Sequence, residues 1–326
     1  MANQLHRLPD GRTLGVSSLG DPGSRRLVLV CHPTPGAGGF DPDPKATAES
    51  GLQFLMIDRP GYGASDPVAR DVDPTIQQHA DDLASYLSWS AGAATNATTA
   101  DFGSIAVIGW GAGGGSTALS LAARHPEVVD RLVIVGTPRV DGPGLIDPVR
   151  RLLGLSRIEA FSPRSHLDRV IASHGEIGLQ TLGIGAGSGA GSGSATAAAA
   201  APEHAAPHGS GDAGAGQTGG FDVSARPGLR GRIERMLGDS SRQGAAGIAT
   251  DLLAFRDRSW ALDLPAITAD TLLVYGTDDP LASARDGNWY RRRISGSRVH
   301  EAKGADASVY ISEWPRILQH VADRSQ

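Results

Sequence analysis

At 326 residues the chain is long enough to bury a large core, as one domain with an insertion or as two domains. With a formal net charge of -5 and no long basic run, nothing points to a nucleic-acid partner, and the one basic cluster, Arg291–Arg293, reads as a solvated helix end. Cys31 is the only cysteine, so no internal disulfide and no site built on several thiolates can form.

No apolar run of about 18 residues is present, so no membrane span is expected. The opening MANQLHRLPDG lacks an apolar signal core, which predicts a cytoplasmic location and makes the Asn96 sequon meaningless there. Lys45 and Lys303 are the only lysines among 30 basic residues, and together with 44 glycines this bias suggests a GC-rich, actinobacterial genome.

Taken in chain order, Gln4 to Leu19 holds a Pro9-Asp10-Gly11 turn between short apolar runs, which predicts a hairpin. Leu27 to Cys31 is continuously apolar, as expected of a strand buried on both faces, and Leu52 to Ile57 is a second such strand. Residues 75–89 place Ile76, Ala80, Leu83 and Leu87 on one helix face. A strand over 104–109, a helix over 112–124 and a strand over Leu132–Val135 follow. Strands alternating with helices predict an α/β fold with a mostly parallel sheet covered on both sides.

After Pro138 the pattern changes. Residues 143–181 and 226–256 are arginine-rich and helical in pattern, while 183–221 is nearly all Gly, Ala and Ser. The middle tract carries too little apolar surface to offset its ordering entropy and reads as a flexible linker. The sheet resumes with Leu272–Tyr275, a helix near 283–294, a strand over 297–302 and a last helix near 308–322. The expected organisation is a first core segment at 1–138, a helical insertion at 139–262, and a second core segment at 263–326.

Four stations along this order carry a resemblance. They are His32-Pro33-Thr34-Pro35-Gly36; Asp58-Arg59-Pro60-Gly61-Tyr62-Gly63-Ala64-Ser65; the Gly109-Trp110-Gly111-Ala112-Gly113 turn between strand and helix; and Tyr275-Gly276-Thr277-Asp278-Asp279-Pro280. In this order they resemble the α/β-hydrolase superfamily, across nearly the whole chain outside the low-complexity tract. The resemblance implies an α/β-hydrolase sheet, a helical cap at 139–262, and a pocket between them. It also assigns positions: the oxyanion loop at His32 and Thr34, the nucleophile elbow at Gly109–Gly113, and the triad acid at Asp279.

Two triad positions depart from the pattern. The elbow serine is replaced by Gly111, and the turn that should carry the histidine reads Gly304-Ala305-Asp306-Ala307-Ser308, which puts Asp306 at the base position. The following Trp314-Pro315-Arg316-Ile317-Leu318 matches the family's last helix and fixes that register. Glycine offers no attacking atom, and a carboxylate with a pKa near ~4 is a weak base at neutrality. Loss of a triad nucleophile or base costs about 10⁶-fold in a well-studied protease. The expectation is therefore a non-catalytic homologue without cofactor or metal, binding a small apolar ligand or a partner such as a paralogue or a second copy of itself. Thr34 and Ala112 backbone amides, His32 and Trp110 would line the pocket. The alternative is a weak or unconventional ester hydrolase.

The remaining candidates weigh less. Ser116 points away from the elbow mouth, Cys31 reads as core, His300 as a surface or core residue within the last strand, and His320 as an exposed helix residue. An Asp279–Asp306 carboxylate pair suggests a metal or general-acid site but has no nearby histidine to complete it. Gly109, Gly111 and Gly114 also satisfy a dinucleotide-binding fingerprint. However, the next strand ends in Gly136-Thr137-Pro138 without an acid, and Asp130 lies at its wrong end.

Overall fold

The computed structural model describes residues 4–92, 103–141, 144–173 and 223–323. The expected linker at 183–221 and the Asn96 sequon lie outside the described residues. Eight strands form one sheet: β1 (Gln4–Arg7), β2 (Thr13–Gly20), β3 (Leu27–Cys31), β4 (Gln53–Ile57), β5 (Ile105–Trp110), β6 (Val129–Val135), β7 (Asp270–Gly276) and β8 (Arg298–Ala302). The described helices are α1 (Pro44–Glu49), α2 (Ile76–Gly92), α3 (Gly111–Arg124), α4 (Ile146–Leu152), α5 (Arg157–Ala160), α6 (Arg164–Ser173), α7 (Leu229–Ser240), α8 (Ala246–Ala254), α9 (Ala284–Arg291), α10 (Val309–Ser312) and α11 (Trp314–Ala322).

The spatial order is β1-β2-β4-β3-β5-β6-β7-β8. The hairpin β1–β2 is antiparallel and β2 meets β4 antiparallel, whereas β4, β3, β5, β6, β7 and β8 run parallel. From β3 the chain moves outward to β4 and then returns to the other side of β3 for β5. Connections therefore leave β3 and β5 in opposite directions, and a crevice opens at their C-terminal ends. The fold thus places the two glycine- and proline-rich turns, His32–Gly36 and Gly109–Gly113, side by side.

Both faces of the sheet are buried, which is why its strands read as continuous apolar runs. Leu27, Leu29 and Cys31 of β3 join one core while Val28 and Val30 join the other, the period-two alternation of a strand. The first core receives the expected face of α2, Ile76, Ala80, Leu83 and Leu87, together with Leu119 and Ala122 of α3. The second receives Trp314, Ile317, Leu318 and Val321 of α11. Between β6 and β7 the described elements are helical, as their pattern predicts, and they divide between the faces. Ile146, Val149, Leu167, Ile248 and Leu252 enter the first core; Leu229, Ile233 and Met236 of α7 enter the second.

Three local expectations are corrected. The last helix near 308–322 is broken at Glu313, because Pro315 lacks an N–H and fits only the first turn of a helix, where it starts α11. His320 is buried rather than exposed, at 4%. It shares the inward face with Ile317 and Val321, where its Nε2 lies 3.0 Å from the Asp270 carbonyl and its Nδ1 2.7 Å from Arg298. Residues 44–49, not read as helix, form α1: the Asp43 side chain accepts the Ala46 N–H and Pro44 occupies the first turn. Among the described residues no helix is long and apolar enough to cross a membrane.

Candidate functional site

At the crevice, β5 ends at Trp110 and the chain enters α3 through Gly111, whose φ is 66°. This left-handed region costs a residue with a Cβ about 1–2 kcal/mol and costs glycine almost nothing. A Cβ at Gly111 would stand 3.3 Å from Pro33 Cβ, a tight fit that is not blocked. Thr137 Oγ1 donates to the Gly111 carbonyl at 3.0 Å and fixes the turn from the neighbouring strand. At Gly113 the constraint is steric instead, since a Cβ there would run into the Thr34 hydroxyl and the Arg59 guanidinium.

A cavity of about 40 Å³ lies in front of Gly111. By the ~10–15 Å³ that one water-sized sphere occupies, it holds about three such spheres. Pro33, Thr34 and Ala112 close one side, Pro148 and Val149 of α4 another, and Asp279, Leu281 and Ala307 bring the ends of β7 and β8 to it. Trp110 both lines the cavity and fills the second core, where it stacks on Tyr310 at 4.6 Å.

Behind the loop the polar groups are tied into one buried network. His32 Nε2 accepts the Arg59 backbone N–H at 3.0 Å, so its proton sits on Nδ1, 3.0 Å from the Pro33 carbonyl, and the ring is neutral. Burial and then the Arg59 charge hold its pKa well below the usual histidine value. The Arg59 guanidinium donates to the His32 carbonyl, to the Pro33 carbonyl at 3.1 Å, to Thr34 Oγ1 at 3.0 Å and to Asp251 Oδ2 at 2.7 Å. Asp251, fully buried on α8, also accepts from the Thr34 hydroxyl and, at 2.8 Å, from Tyr62. Burial opposes its charge, but Arg59 beside it keeps Asp251 below the ordinary carboxylate range. The network fastens α8 to the loop and commits the Thr34 hydroxyl to Asp251 and Arg59. Beneath it burial pushes the Cys31 thiol up to about 12, which removes it as a nucleophile.

At the opposite wall, Asp279 Oδ1 accepts the N–H groups of Leu281 at 2.8 Å and Ala282 at 3.3 Å. Its Oδ2 lies over Gly136, 3.2 Å from where a Cβ would stand. Burial, with the negative neighbours Asp306 and Asp286 acting against those two backbone bonds, pushes Asp279 up to about 6. Asp306 is buried one residue before Ala307, and its Oδ1 accepts the Ser308 N–H at 2.8 Å. Among the described residues no group of three or more His, Cys, Asp or Glu is arranged to hold a metal.

The family model for the alpha/beta hydrolase fold matches residues 26–176. An esterase from Exiguobacterium antarcticum superposes with a TM-score of 0.63 at 16% identity, covering 98% of this chain and 97% of the esterase. An enol-lactonase from Burkholderia xenovorans gives 0.60 at 16% identity, with 98% of each chain covered. The chain has the alpha/beta hydrolase fold. An alpha/beta hydrolase fold protein from Nakamurella multipartita gives 0.57 at 21% identity, covering 98% of this chain and 99% of the other. No curated protein matches.

Within this α/β-hydrolase fold, Thr34, Trp110, Gly111, Ala112 and Asp279 share the cavity. Asp306 lies behind Ala307 and acts on Asp279 by charge, whereas both ring nitrogens of His32 are engaged with the backbone. Ser116 is buried and its hydroxyl, 3.1 Å from the Gly113 carbonyl, stays inside the helix. His300 pairs with Glu313 at 2.9 Å. Asp130, the acid weighed for a dinucleotide ribose, bonds Arg26 at 2.8 Å at the far end of the sheet. Arg59, Tyr62 and Asp251 were not singled out from sequence. For Asp251 the available signal was a lone acid in the apolar run Ile248–Phe255.

Proposed function

We propose that this chain is a non-catalytic member of the α/β-hydrolase superfamily whose strand-end cavity holds a small ligand. The observation that carries the reading is the absence of a nucleophilic side chain in the described cavity wall. The elbow residue is Gly111, and the one hydroxyl in the wall, Thr34, donates to Asp251. Asp306 stands at the position the family pattern reserves for the base, so a second carboxylate instead of an imidazole acts on Asp279 through its charge. What acyl-transfer machinery remains is the loop and the two backbone amides, worth about 10³-fold over water in a protease stripped of its triad. The cavity's size limits a ligand to a few atoms inside the wall, well below the ~300 Å³ of a drug-sized pocket. We assign residues 139–262 as the cap of this fold, with Asp251 as its anchor.

Ester turnover tests the reading. The wild type is expected to match buffer against a panel of activated acyl esters, and Gly111→Ser with Asp306→His is expected to gain turnover. A second reading, weak hydrolysis by a water activated at Asp279, draws on that carboxyl's pKa near 6 beside a water-sized cavity. Wild-type turnover abolished by Asp279→Asn would favour it and overturn the first.

A further inference from the structure

The side chains of the cavity wall are apolar apart from one carboxylate, Asp279, and the Thr34 hydroxyl. Pro33, Trp110, Pro138, Val149 and Leu281 supply hydrocarbon surface, and the Thr34 hydroxyl is committed to Asp251. Asp279 spends Oδ1 on two backbone N–H groups, while Oδ2 accepts no hydrogen bond and joins no ion pair among the described residues. The charges that act on it from neighbouring elements are also negative: Asp306 after β8 and Asp286 on α9. Arg139, the cation on the adjoining loop, is turned to Asp141 at 3.1 Å and Asp286 at 3.9 Å. The field at Oδ2 therefore favours a positive ligand, disfavours a carboxylate, and gives a neutral molecule little.

We propose that the cavity binds a small primary alkylammonium ion, its nitrogen on Asp279 Oδ2 and its alkyl chain against Trp110, Val149 and Leu281. This rests on reading the cavity as the ligand site of a non-catalytic chain. A cavity of about 40 Å³ accommodates roughly three to four non-hydrogen atoms. Propylammonium, with four non-hydrogen atoms, matches that content. An ester hydrolase would release a carboxylate at this place, so the preferred charge is the reverse of that of such a product.

The test is an NMR titration of the full chain with n-propylammonium chloride, 1-propanol and sodium propionate at constant ionic strength and pH 7.5. The ammonium is expected to bind at least about tenfold more tightly than the alcohol, and propionate not at all, a discrimination typical of a charge-assisted bond. Because Asp279 titrates near 6, affinity for the ammonium should fall about tenfold at pH 5, while that for the alcohol stays level. Asp279→Asn should abolish the preference; should that variant fail to fold, the pH titration of the wild type decides alone. Equal binding of alcohol and ammonium overturns the inference and leaves the ligand-pocket reading standing. Binding of none of the three overturns both. Ester turnover, read separately, reports on the non-catalytic reading whichever probe binds.

Discussion

Asp279→Asn is expected to stabilise the folded chain at neutral pH. The carboxyl is carried from an ordinary 3.8 to about 6, mainly by burial, with Asp306 and Asp286 adding to it. A shift of about two units corresponds to about 3 kcal/mol between the two protonation states. The sign follows from the folded value lying above the unfolded one. Below pH 3.8 both states hold the proton and the group is neutral to stability. As pH rises through 6 the folded state loses its proton against resistance, and the full cost is in place by pH 7.5. Asparagine accepts the same N–H groups from Leu281 and Ala282 on its oxygen and carries no charge. Urea unfolding at pH 7.5, 6 and 4 should show the variant more stable by up to about 3 kcal/mol at 7.5, with the gain shrinking to near zero at pH 4 and m unchanged. A variant no more stable than wild type at pH 7.5, or equally stabilised at pH 4, would refute the account of this wall.

Three further outcomes are expected. Gly111→Ser alone should cost about 1–2 kcal/mol in urea unfolding, because φ is 66° and the new Cβ meets Pro33, and it should bring little turnover without a base. Asp251→Asn should cost about 3–5 kcal/mol by leaving the buried Arg59 guanidinium without its counter-charge, and replacing both by apolar residues should cost less than the single change. His79 is fully buried with neither ring nitrogen bonded among the described residues, and burial lowers it to about 4. Its folded pKa lies below the unfolded 6.5, so stability should fall as pH drops from 6.5 to 4, by up to about 3 kcal/mol, and His79→Leu should flatten that slope by one proton.

The parallel strands were legible because a strand buried on both faces needs no polar alternation: Leu27–Cys31 and Leu272–Tyr275 announce themselves. The elbow was legible because its glycines answer local demands, a left-handed turn at Gly111 and close approach at Gly113. His320 was misjudged although its spacing from Ile317 put it on the packed face; polarity was weighed above period. The network around Asp251 was not legible, since its partner Arg59 lies 192 residues away and only the fold brings them together. Likewise Asp279 and Asp306 could be named as positions from sequence, but the charge that one imposes on the other depends on the ends of β7 and β8 sharing one wall.

The central claim is that no side chain at this cavity performs acyl transfer. Its most direct test is intact mass after incubation with a fluorophosphonate, run beside turnover of activated esters. The account predicts an unmodified mass and rates equal to buffer. A stoichiometric adduct accompanied by turnover would contradict it, and peptide mapping of that adduct would identify the nucleophile.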